Sequence, residues 1–183
     1  MMIKRARIQS FILYSVFTIY ILFLMKLLLL SRVSLGELFR GEGSLSRSFN
    51  LFPFRSIIEF VFGDEADARK FAFSNLVGNI VIFIPLGVYL SLLKKDKRAM
   101  TIVVFIFLVS LFVEVVQGIF GIGTADVDDL ILNCVGGWMG VLAYKFLLLI
   151  LREEKKAATA IAILSVAGLP VLFLLLFMVK LRL

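Results

Sequence analysis

The chain has no histidine and only one cysteine among its 183 residues. Without histidine it lacks the commonest metal ligand and the commonest general base at neutral pH. The lone Cys134 sits inside an apolar run, so neither a disulfide framework nor a thiolate metal cluster can be built. Chemistry falls to Asp, Glu, Asn, Gln, Lys, Arg, Ser, Thr or Tyr, and any bound metal would be a hard cation held by oxygens. Charge is also sparse, at 18% of residues, whereas 61% are hydrophobic and the mean hydropathy is +1.05. A domain of this size cannot hide so much apolar surface in its own core, so lipid is the natural solvent. The net charge of +7 does not indicate nucleic acid, because the basic residues cluster at the ends of apolar runs, where membrane orientation accounts for them.

The expected fold is an all-α membrane protein in one domain, 1–183. It is a bundle of about five transmembrane helices, with an interfacial amphipathic or re-entrant segment between the first and second spans. The spans are read at 8–30, 75–93, 99–120, 130–151 and 157–179, each with enough apolar residues to cross a bilayer. The first is longer than a signal-peptide core and lacks a following A-x-A pattern, so it reads as a retained anchor. Lys4, Arg5 and Arg7, then Lys94, Lys95, Lys97 and Arg98, then Arg152, Lys155 and Lys156 all fall on one side if five spans alternate. The positive-inside rule makes that side cytoplasmic, and Lys180 and Arg182 are a mild exception.

The outer segment 31–74 carries six basic and six acidic residues among phenylalanines, a mixture suited to helices lying on a leaflet. Within it, Pro53 drives Phe52 into an extended conformation, and the wedge Asn50-Leu51-Phe52-Pro53-Phe54 is expected to pack back against the bundle. Asp64, Glu65 and Asp67 followed by Arg69 and Lys70 match a short helix with its dipole satisfied at both ends.

Three aspartates, Asp126, Asp128 and Asp129, occupy a break between two apolar runs that holds no lysine or arginine. With the alternating topology, Asn75 and Asn79 lie in the outermost turns of the second span, Glu114 and Gln117 in the outer part of the third, and Asn133 just inside the fourth. Each same-helix pair shares a face. Three helices thus deliver their uncommon polar residues to one leaflet, while the inner halves carry almost none. Local reasons exist for each. Asp126 and Asp129 fit a capping box, Asp128 answers the helix dipole, and Gln117, Asn79 and Asn133 can knit helices together. Glu114 is harder to explain locally, since a carboxylate in hydrocarbon must be paired, protonated or open to water. Gly136 and Gly140 on the fourth span, with Gly137 between them, let another helix approach closely. Pro85 removes a backbone donor from the second.

Asn50-Leu51-Phe52-Pro53-Phe54, Asn75-x-x-x-Asn79, Phe83-Ile84-Pro85-Leu86-Gly87, Glu114-x-x-Gln117 and Asp126-x-Asp128-Asp129-x-x-x-Asn133-x-x-Gly136-Gly137-x-x-Gly140 follow one another in that order. Together they make residues 50–140 resemble the VanZ-like family of bacterial membrane proteins. Phe52 departs from the pattern, standing where members often carry an aliphatic residue. The resemblance implies a multi-pass protein of the bacterial plasma membrane. In the family's best-known members it also implies association with low-level resistance to teicoplanin-type lipoglycopeptides, without a defined reaction.

The leading reading is an outward pocket that binds or modifies an amphipathic envelope component or a lipoglycopeptide. Its candidate ligand-binding residues are Asn50, Arg55, Asn75, Asn79, Glu114, Gln117, Asp126, Asp128, Asp129 and Asn133. Its partner would be a membrane lipid or lipid-linked envelope molecule, not nucleic acid. The rival is an enzyme acting on a lipid-linked substrate, with Glu114 as acid or base and Asp126 and Asp129 holding Mg2+ or Ca2+; the leading reading needs no cofactor. A small transporter is the third option, disfavoured because there is no inverted repeat and no polar path through the inner halves.

Overall fold

The computed structural model describes residues 2–30, 48–94, 98–121 and 124–181. Most of the N-terminal half of the outer segment, together with Lys95, Lys97 and Arg182 of the orientation argument, lies outside the described residues. Among the described residues there are six helices and two short strands: α1 (Met2–Leu30), β1 (Ser48–Asn50), α2 (Arg55–Phe62), α3 (Ala66–Leu93), α4 (Ala99–Phe120), β2 (Thr124–Asp126), α5 (Val127–Leu151) and α6 (Glu154–Leu181). Among the described residues, four stretches are long and apolar enough to cross a membrane: Arg7–Leu29, Ala66–Leu93, Ala99–Phe120 and Val127–Leu151.

The chain divides into two compact units. In the first, formed by Met1–Gly43 and Phe146–Leu183, α1 and α6 pack along each other. Buried residues of α1 recur at three- and four-residue steps, at Leu13, Val16, Tyr20 and Leu24, while α6 buries Ala157 and Ile161.

The second unit, Ser44–Lys145, carries the candidate site. Its core is a close three-helix contact. A Cβ added to Gly136 would run into the Ile80 carbonyl, one on Gly140 into the Ile84 carbonyl, and one on Gly87 into the Gly137 carbonyl. The glycines thus bring α3 and α5 together backbone to backbone, running parallel, as small residues do in membranes where apolar burial gives no driving force. The antiparallel α4 fits against them through Ile106, whose side chain fills the space a Gly137 Cβ would take. Pro85 is accommodated inside α3, which stays helical throughout.

Two features differ from the sequence reading. The charged stretch around Asp67 is the opening of α3 and not a separate short helix, because nothing breaks the helix where it meets the hydrocarbon. The wedge is tied to the bundle by its polar and backbone groups, while Leu51, Phe52 and Phe54 point outward, Phe52 with 79% of its surface exposed.

Candidate functional site

The site is organised by the first turn of α5. β1 and β2 pair in parallel, placing Asn50 opposite Asp126. The Asn50 amide donates to Asp126 Oδ2 at 2.9 Å, and Asp126 Oδ1 accepts the Asp128 backbone N–H at 2.9 Å. The second bond is an N-cap contact, with the carboxylate satisfying an orphan donor at the second helical position. The Asp126 backbone N–H donates to Glu114 Oε2 at 2.7 Å. Glu114, 6% exposed in α4, is thereby tied to the last residue of the next element, β2.

Asp128 acts on a different helix. Its Oδ1 accepts the Phe54 N–H at 2.5 Å and its Oδ2 the Ser56 N–H at 2.7 Å. These are donors at the start of α2, whose N-cap residue is a phenylalanine with no side chain able to cap. The carboxylate of α5 does that work from across the fold, and its charge suits the positive end of the α2 dipole. Phe54 sits in the left-handed region at φ 67°, a costly conformation for a bulky residue. Asp128 is only 2% exposed.

Asp129 faces α3. Its Oδ1 accepts from Asn79 Nδ2 at 2.5 Å and from Asn75 Nδ2 at 3.2 Å. The expected capping box is therefore only half formed. Asp126 caps α5, but its own N–H goes to Glu114, and Asp129 turns to the asparagines of α3. One turn deeper, Asn133 Nδ2 donates to Ser110 Oγ at 2.8 Å, joining α5 to α4, and Asn133 Oδ1 meets no donor among the described residues.

Asn50, Asn75, Asn79, Glu114, Asp126, Asp128, Asp129 and Asn133 thus lie at one end of the second unit, linked through α5 and the strand before it. Gln117 lies one turn beyond Glu114 on the same face of α4, and its carbonyl accepts the Gly121 N–H that ends the helix. Arg55 opens α2, is exposed and takes no part in the hydrogen bonds of the cluster among the described residues. Ser56 and Ser110 belong to the network and escaped the sequence reading. Ser110 was findable, being four residues before Glu114 on the same face. Among the described residues, no three Asp, Glu or Cys side chains converge as a metal-binding group. Asp126, Asp128 and Asp129 each accept hydrogen bonds from N–H donors of the asparagines or the backbone.

The α3–α5 tie can be measured. Asn79→Leu removes one donor from Asp129 and leaves Asn75, so the thermal stability of the detergent-solubilised protein is expected to fall by about 1–2 kcal/mol.

Four helices able to cross a bilayer, three of them joined at one end by a hydrogen-bonded polar cluster, define a multi-pass membrane protein. The VanZ/LLP1 family model matches residues 17–151, and the chain belongs to that family. It is 34% identical over 98 residues to Protein VanZ of Enterococcus faecium, an alignment covering 54% of this chain and 53% of that protein. The chain thus spans about half the length of this curated relative. No solved structure matches it.

Proposed function

We propose that the cluster at the start of α5 binds an amphipathic envelope component or a lipoglycopeptide at the outer face of the bacterial plasma membrane, and that this binding contributes to teicoplanin-type resistance. One observation carries the reading. The exposed Leu51, Phe52 and Phe54 are fastened directly to half-buried and buried carboxylates, through Asn50 on Asp126 and the Phe54 N–H on Asp128. An acyl-binding surface and a polar surface are thereby held side by side, as an amphipathic ligand requires. Asn50, Arg55, Asn75, Asp126 and Asp129 would meet the head group. Asn79, Glu114, Gln117 and Asn133 would line the floor, and Asp128 would hold the wedge in place.

In this reading α6 is the fifth span. The N-terminus is cytoplasmic together with Lys94, Arg98, Arg152, Lys155 and Lys156, and the Asp126 end faces outward. The described part of the outer segment, 48–74, then lies on the outer side.

The test uses purified protein in nanodiscs with teicoplanin and lipid-linked envelope precursors as probes. Glu114→Gln combined with Asp129→Asn is expected to lower ligand retention about tenfold or more, a loss of about 1.4 kcal/mol per decade. Cells carrying the double variant are expected to lose the susceptibility shift conferred by the parent. Unchanged retention together with unchanged susceptibility would end the proposal, and mass-spectrometric turnover of a precursor would replace binding by catalysis.

A further inference from the structure

The eight residues of α2 divide into three strips at 100° per residue. Ser56 is buried and Phe60 half-buried, and both belong to the strip that meets the bundle. There the Ser56 N–H reaches Asp128, and the Phe60 ring lies 5.3 Å from the Phe73 ring of α3. The next strip holds Ile57, Ile58, Val61 and Phe62, all exposed, with Phe62 at 78%. The third holds the exposed charges Arg55 and Glu59. A helix that only covered a core would put its apolar side chains against the bundle and face charge outward. This one has a broad apolar stripe left over, set between its bundle contact and its charges.

The position of α2 along α3 says what covers that stripe. The opening turns of α3 carry exposed Asp67, Arg69 and Lys70, with Lys70 Nζ 3.2 Å from Asp67. Immediately after them the exposed surface of α3 turns mainly apolar, at Phe71, Phe73, Val77 and Val81, with Ser74 the one exposed polar residue among them. Phe73 is three residues beyond Lys70, about 4–5 Å along the helix axis. Phe60 packs against it there with the rings tilted, so α2 sits at the level where α3 passes from charge to its apolar surface. At roughly 12 Å long, α2 cannot cross a bilayer.

We propose that the Ile57–Ile58–Val61–Phe62 stripe is buried in the acyl boundary of the lipid leaflet at the acidic end of the bundle, with Arg55 and Glu59 at head-group level. α2 meets α3 through Phe60 and Phe73, beside the exposed apolar Phe71, Val77 and Val81 of a helix long and apolar enough to cross a membrane, which selects lipid over a second copy of the chain. This proposal does not depend on the ligand of the α5 cluster or on which face of the membrane that end occupies.

The test places single tryptophans on α2 in full-length protein carrying Trp138→Phe, reconstituted in phosphatidylcholine vesicles with brominated acyl chains. Ile58→Trp, Val61→Trp and Phe62→Trp are expected to emit at shorter wavelength. Bromine should quench them about twofold or more over Arg55→Trp and Glu59→Trp. Equal bromine quenching on the two strips overturns the proposal. So does stripe emission quenched by aqueous iodide, or by neither agent, as a protein cover would give. Should a tryptophan variant fail to insert, Ile58→Cys in a Cys134→Ala background carries a nitroxide instead. Greater accessibility to oxygen than to a water-soluble nickel chelate supports the assignment, and the reverse order overturns it.

Discussion

Asp128→Ala is expected to destabilise the protein by about 3–5 kcal/mol, although it removes only a carboxylate. The carboxylate is the acceptor for two backbone donors, the N–H groups of Phe54 and Ser56. Each donor left unsatisfied in a buried place costs about 1–3 kcal/mol. The loss should be local before it is global. With its cap gone and Phe54 free to leave the left-handed region, α2 is expected to detach first, seen as protease cutting between residues 51 and 65 while the helices of the bundle stay protected. Asp128→Asn should recover about half of the loss, because its carbonyl can keep one donor while its NH2 group opposes the other. Phe54→Gly is the informative companion. Glycine adopts φ 67° without steric cost, so that variant should retain the capped geometry at nearly unchanged stability. Normal protease resistance in Asp128→Ala would refute the role assigned to this carboxylate.

The second large effect is expected from Gly140→Val. A side chain there meets the Ile84 carbonyl, the Gly87 Cα and the Val88 nitrogen, all of them backbone atoms that cannot rotate aside. The two helices must move apart. The cost is expected to exceed about 3 kcal/mol, since close packing is the main attraction between helices in lipid. Separation should also weaken the Asn79–Asp129 bond, which joins the same helices nearer the acidic end. Gly137→Ala should be milder, because the obstacle is the movable side chain of Ile106. Gly78→Ala, with no atom within 4 Å of the added carbon, should be neutral or stabilise by about 0.5–1 kcal/mol. Thermal unfolding followed by size-exclusion recovery orders the four proteins; equal melting of Gly140→Val and Gly78→Ala would contradict the backbone contact.

How far the sequence carried these conclusions depends on the range of each interaction. Apolar length located the helices, because crossing hydrocarbon is a requirement that one stretch of chain meets alone. Alternation of those helices then put Asn79, Glu114 and Asp129 at one end before any contact was known. What composition could not say is which donor meets which acceptor. Asp126-x-x-Asp129 has the spacing of a local capping box, yet Glu114 competes for the Asp126 N–H and wins, and Asn75 and Asn79 draw Asp129 away. The β1–β2 pairing was equally hidden. Three residues per strand are too few for an alternating pattern, and Asn50 and Asp126 are 76 positions apart. Helix limits were blurred for another reason. The hydrocarbon ends where charges begin, but α3 keeps its hydrogen bonds across that boundary and starts at Ala66 and not at Asn75.

The cap on α2 also imposes an order on biogenesis. Ser56 and Asp128 are separated by 72 positions, so a ribosome that has released α2 has yet to make its acceptor. At roughly 5–20 residues per second the wait is about 4–15 s, during which α3 and α4 are synthesised. Throughout that interval α2 has no carboxylate at its N-terminus and nothing to hold Phe54 in its left-handed turn. The helix can be set in its final place only after α5 begins to emerge, which makes an early element of the chain one of the last to be fixed.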